Sequence, residues 1–86
     1  MTIEATLRSH LAEICEEPEL ARTVGPDVNL VEDLGLSSLK MVLLLLRTED
    51  SFDIEIDYET LDITELSSLR RFCDYIHSRQ QARKGA

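Results

Sequence analysis

Basic residues are scarce in this chain. Its 86 residues include 9 Lys plus Arg against 17 Asp plus Glu, a formal net charge of −8. That balance argues against a nucleic-acid binder, which needs a basic patch for phosphates, and against a basic helix lying on a membrane. Glycine is scarce too: there are three, and none builds a loop that cradles phosphate. Cysteine is limited to Cys15 and Cys73, far apart in sequence, which fits two buried thiols in a reducing compartment better than a disulfide framework. The N-terminus carries an acid where a signal peptide would be basic, and no apolar stretch of signal-peptide type follows it. The longest apolar run, Met41 to Leu46, is far too short to span a bilayer. Cytoplasm is the expected location, with no membrane and no nucleic acid among the partners. His10 and His77 lack ligand-spaced neighbours, so no metal site is expected. Tyr58 and Tyr75 lack the basic context of an RNA-stacking surface.

What is present is a folded protein. At 43% hydrophobic residues the chain is too apolar for a disordered acidic tail. Its length suits a single domain over residues 1–86, with a thin core and little room for a large catalytic cleft. Partners with positive charge are expected.

Ile3, Leu7, Leu11 and Ile14 recur at helical spacing, and Thr2 is a candidate N-cap. This predicts a first helix over residues 3–16, ended by Glu17-Pro18. Residues 18–36 hold Gly25-Pro26 and Gly35 and read as a long connection packed on the body through Leu20, Val24, Val28, Leu30 and Leu34. Asn29 to Glu32 has the spacing of a capping box, which would form one helical turn before Gly35. A central helix begins at Ser37 or Ser38. On a wheel of about 100° per residue, Met41, Leu44, Leu45, Thr48 and Phe52 share one side. Leu39, Val42, Leu43 and Leu46 share the other. A helix buried all round fits poorly in so small a domain, so the pattern predicts one core face and one exposed apolar stripe.

Phe52 to Asp57 alternates like a strand, but there is no second strand to pair with it. It reads as an extended loop that drops Phe52, Ile54 and Ile56 into the core. Asp57 would cap a short helix from Tyr58 to Asp62. Thr64 would cap a last helix with Leu66, Leu69, Phe72, Cys73 and Ile76 on its apolar face. The tail, 80–86, is polar and expected to fray. The prediction is all-α: a four-helix bundle of three main helices and one short one, its core at roughly 3–79. Leu36-Ser37-Ser38-Leu39-Lys40 is echoed by Leu66-Ser67-Ser68-Leu69-Arg70, but the flanks differ and the match is too short for a repeat architecture. Ser68 reads as a first-turn serine of the last helix.

Asp33-Leu34-Gly35-Leu36-Ser37-Ser38-Leu39 lies at the junction of the long loop and the central helix. This stretch resembles the phosphopantetheine attachment site of the acyl carrier protein family, which reads D-L-G-x-D-S-L. Asp27 to Glu32 fits the family's lead-in, and Glu49 to Ile56 fits the acidic end of its second helix. The resemblance implies that Ser38 carries a 4′-phosphopantetheine arm, with Asp33, Gly35, Ser37 and Leu39 as flanking motif. It implies a monomeric carrier that holds an acyl group as a thioester and catalyses nothing. Its partners would be a phosphopantetheinyl transferase, an acyl- or aminoacyl-loading ligase or transferase, and downstream synthase enzymes. Fatty-acid, polyketide and other specialised pathways all fit, as does an aminoacyl or peptidyl carrier serving a dedicated ligase. The implied docking surface is Leu36, Leu39, Val42, Leu43 and Leu46, rimmed by Arg47, Glu49 and Asp50. Met41, Leu45, Ile56 and Leu61 are candidates to line a space for the attached group.

The sequence departs from the family pattern in three ways. Ser37 stands where aspartate is usual, Lys40 and Leu43 stand where acids are common, and Arg47 adds a further cation. The acids instead gather downstream as Glu49, Asp50, Asp53, Glu55, Asp57, Glu59, Asp62 and Glu65. Such a run could steer basic partners or simply keep the protein soluble. It is not an EF-hand, since Tyr58 and Thr64 occupy the positions that need Gly and Glu. The apolar central helix suggests dedicated partners. A modification-free helical adaptor that binds through this helix is the alternative from a different class.

Overall fold

The computed structural model describes residues 2–59 and 61–84. Their elements are α1 (Ile3–Ile14), α2 (Leu20–Thr23), α3 (Ser38–Phe52), a 3-10 turn (Ile63–Leu66) and α4 (Leu69–Lys84), with no strand among the described residues. The all-α expectation holds, and the alternating segment after Phe52 is an extended loop with Ile54 and Ile56 buried.

Thr2 caps α1, its hydroxyl accepting from the Ala5 N–H at 3.1 Å. α1 stops two residues earlier than expected. Glu16 takes a left-handed conformation, φ 57°, and donates to the Glu13 carbonyl. Glu17 donates to the Ala12 carbonyl, which completes a Schellman motif. This motif, not Pro18 alone, ends the helix. α3 ends in a related way on Asp53, φ 53°, with Ile54 donating back to the Glu49 carbonyl. Both left-handed positions carry an acid where glycine is the usual choice.

Three expected boundaries move. α2 lies within the stretch expected to be loop, because four residues are too few to show a period. The short helix expected over Tyr58 to Asp62 is absent at the described positions. Asp57 instead caps a turn, accepting from Glu59, and Thr60 lies outside the described residues. The helical turn begins five residues later, at Ile63–Leu66, and Asp62 caps it by accepting from Thr64. The last helix consequently starts at Leu69 and not at Thr64. It runs through the tail residues Gln80 to Lys84, which were expected to fray, while Gly85 and Ala86 lie outside the described residues.

α1 packs against α2, α3 and α4. Leu7, Leu11, Leu30, Leu44, Leu69, Phe72 and Ile76 have no exposed surface. Each such side chain contributes about 1.5–3 kcal/mol by leaving water. Thr48 is buried among them and donates its hydroxyl to the Leu44 carbonyl at 2.7 Å. The long loop is stitched to the start of α4: Leu69 donates to the Val28 carbonyl, Arg70 to that of Pro26, and Leu30 to that of Leu66. These bonds fix where the loop delivers the chain to α3.

Candidate functional site

The loop prepares the start of α3 residue by residue. The Asn29 side-chain oxygen accepts from Val31 at 2.9 Å and from Glu32 at 2.7 Å. The Asp33 carboxylate accepts from the Asn29 N–H at 2.9 Å, and Asp33 donates back to the Asn29 carbonyl. The expected single turn is there, but Asp33 supplies the returning carboxylate instead of Glu32. Asp33 therefore shapes the loop and does not reach Ser38. Gly35 follows at φ 61°. A Cβ at Gly35 would meet nothing within 4 Å, so glycine is needed for the backbone conformation and not for space. Leu36 then anchors the chain in the core.

Ser37 is the N-cap of α3. Its hydroxyl accepts from Lys40 at 3.3 Å and its carbonyl from Met41 at 2.8 Å. Ser38 and Leu39 come next and are exposed. Among the described residues no protein group accepts from their N–H groups. A helix start with open donors favours a bound anion through those donors and the helix dipole.

A groove of about 350 Å³ opens beside Ser38. Val31 and Leu36 of the loop, Met41 and Val42 of α3, and Ile63 and Leu66 of the 3-10 turn line it. Of the four lining candidates read from sequence, Met41 is in this groove. Leu45 and Ile56 belong to the buried core, and Leu61 packs half-buried against it. Val31, Ile63 and Leu66 escaped the sequence reading because they come from the loop and the displaced 3-10 turn.

The outward face of α3 carries Leu39 (69% exposed), Val42 (47%), Leu43 (41%) and Leu46 (52%). These are spaced i, i+3, i+4 and i+7. Leu36 is not on this surface: it is buried, because the loop must tuck a side chain inward to turn into the helix. The ionic rim is partly committed within the molecule. Arg47 pairs with Glu13 of α1. Glu49 accepts from the Ile56 N–H and from the Tyr58 hydroxyl, each at 2.9 Å, and so holds the loop after α3. Burial and the bond to Glu49 raise the Tyr58 pKa. Asp50 is exposed.

His10 is half-buried on α1. Its Nε2 lies 2.7 Å from the Ser51 hydroxyl, linking α1 to α3. Burial, reinforced by the Arg47 charge, lowers its pKa, against a smaller opposing pull from Glu13. Both cysteines are free thiols. Burial raises Cys15 and pushes Cys73 up to about 11, so neither is a ready nucleophile. No cluster of metal-ligating side chains occurs among the described residues.

Comparison with known proteins agrees with this geometry. The family described as phosphopantetheine attachment site matches residues 5–76, a span that includes the loop, the start of α3 and the groove. The chain belongs to the acyl carrier protein family. It is 30% identical over 79 residues to the acyl carrier protein of Desulforapulum autotrophicum, covering 92% of this chain and 99% of that one. It is 37% identical over 54 residues to the acyl carrier protein of Syntrophus aciditrophicus, which covers 63% of this chain and 65% of that one. A third acyl carrier protein, from Syntrophobacter fumaroxidans, is 34% identical over 59 residues, covering 69% of this chain and 70% of that one.

Membership brings a covalently attached 4′-phosphopantetheine prosthetic group. The carrier's own residues fit such a group. An exposed hydroxyl stands at a helix start with open N–H donors for a phosphate, and an apolar groove adjoins it. When bound, the group supplies a terminal thiol on a flexible arm, the point at which acyl cargo is held. No helix among the described residues is long and apolar enough to cross a membrane.

Proposed function

We propose that Ser38 is the attachment point and that the chain acts as a monomeric acyl carrier. It presents acyl groups to the enzymes of a fatty-acid, polyketide or other specialised pathway and catalyses nothing itself. One observation carries the reading. Ser38 is exposed at the start of α3, beside two N–H groups that have no acceptor among the described residues, and next to an apolar groove. Ser37 caps the helix, so Ser38 has no capping duty. The motif needs no general base of its own, because the transferase activates the hydroxyl. A cytoplasmic location is supported by the two free thiols.

An apolar acyl cargo is favoured over an aminoacyl or peptidyl one, since no charged side chain among the described residues lines the groove to meet an ammonium group. The reading is tested by incubating the protein with coenzyme A and a broad-specificity phosphopantetheinyl transferase, followed by intact mass measurement. The expected result is the gain of one phosphopantetheine group, abolished by Ser38→Ala. No gain on the natural sequence would leave the modification-free adaptor as the better account.

A further inference from the structure

α1 and α3 are joined by two side-chain rungs about one helical turn apart. One is the partly exposed ion pair between Glu13 and Arg47. The other is His10, whose Nε2 lies 2.7 Å from the Ser51 hydroxyl. The second ring nitrogen, His10 Nδ1, is buried and has no hydrogen-bond partner among the described residues. As a bare lone pair it leaves one acceptor unmet. As an N–H it would leave a buried donor unmet on a charged ring, which costs far more. The site therefore suits the neutral ring with its proton on Nε2, donated to Ser51. The charged groups that act on the ring are Arg47 of α3 and Glu13 of α1, and these two are already paired with each other. A second proton would set an imidazolium beside the Arg47 guanidinium in a half-buried place.

We propose that His10 is a proton-operated latch between α1 and the end of α3, closed by the neutral ring and released when the ring is charged. The protonated ring turns out to water and gives up Ser51. The last turn of α3 then loosens, together with the loop that Glu49 holds through Ile56 and Tyr58. The start of α3 keeps its place, because Leu30, Leu69 and Arg70 fix the loop before it. The latch is at the opposite end of α3 from Ser38 and does not depend on the attachment reading. The sign follows from the folded ring holding its proton less tightly than the unfolded one. Stability is full above the pKa of a free histidine and falls as pH drops through the folded value.

The test uses the intact protein. NMR follows the His10 and His77 rings through a pH titration. Amide exchange, corrected for its intrinsic rate, is compared at about pH 7.5 and about pH 5.5, an interval in which histidines titrate and most carboxylates do not. His10 is expected to titrate below exposed His77. Protection around His10 and across residues 49–57 should fall several-fold at the lower pH, while Leu69 and Arg70 keep theirs. His10→Gln retains a donor for Ser51 but cannot be charged, so it should lose this local response, and His77→Gln should keep it. Should His10→Gln fail to fold, the two readouts on the natural chain decide. Titration of His10 together with His77, an unchanged or uniform loss of protection, or the same response in folded His10→Gln would overturn the proposal.

Discussion

The pentapeptides starting at Leu36 and Leu66 share Leu-Ser-Ser-Leu followed by a basic residue, yet they begin their helices one residue out of step. At the first, Ser37 is the cap and Ser38 opens the helix. At the second, the Ser68 hydroxyl accepts from Arg71 at 3.1 Å and so does the capping, while Ser67 donates to the Thr64 carbonyl at 2.7 Å. The shift turns the following leucine from mostly exposed Leu39 to fully buried Leu69. It also decides what becomes of the helix's first donors. Leu69 and Arg70 give theirs to Val28 and Pro26, whereas those of Ser38 and Leu39 have no protein acceptor among the described residues. A short serine motif therefore says little until the backbone before it sets the register and leaves the helix start open.

Four comparisons probe this contrast. The largest effect is expected at the two second serines. Ser38→Ala should abolish mass gain with coenzyme A and a transferase, and Ser68→Ala should leave it intact. Equal loss in both would mean that the two sites are not distinguished by register. Next come the leucines. Leu69→Ala should cost about 3 kcal/mol in a urea melt and Leu39→Ala less than about 0.5 kcal/mol, because only the first opens a cavity in the core. Similar costs would break the assignment of inner and outer positions. The caps follow: Ser37→Ala and Ser68→Ala should each cost about 1 kcal/mol, while Ser67→Ala should cost less. The smallest difference lies in the lead-in. Gly35→Ala should cost about 1 kcal/mol through its left-handed backbone alone, since the added methyl meets no neighbour. Glu65, the matching position before the second motif, lies within the 3-10 turn and needs no such freedom.

Much of this contrast was legible in the sequence. The apolar periods of α1, α3 and α4 are long enough to be counted, and the two faces of α3 separate cleanly on a wheel. Asp33-Leu34-Gly35 before Ser37 marks a junction where a left-handed residue leads into a helix start. What was not legible depends on contacts between distant segments. The groove joins Val31, Met41 and Ile63, and their sequence separation hides that they meet. The shift of the last helix from Thr64 to Leu69 follows from loop carbonyls at Pro26 and Val28 that claim its first donors. Asp62 then caps the intervening 3-10 turn. Glu49 looked like part of an acidic docking rim because its role in holding Ile56 and Tyr58 lies in geometry and not in pattern.

The stitch between the long loop and α4 has a kinetic side. Bonding Leu69 to Val28 closes about forty residues of chain, and the whole of α3 lies inside that closed segment. The amides of Leu69 and Arg70 should therefore give up their protons to deuterated solvent only when the molecule opens globally. The amides of Ser38 and Leu39, at the other Ser-Ser-Leu, should exchange fast throughout. A stitched helix start thus holds in place a turn whose own donors are open, so the turn stays accessible to an enzyme without any need for the protein to unfold.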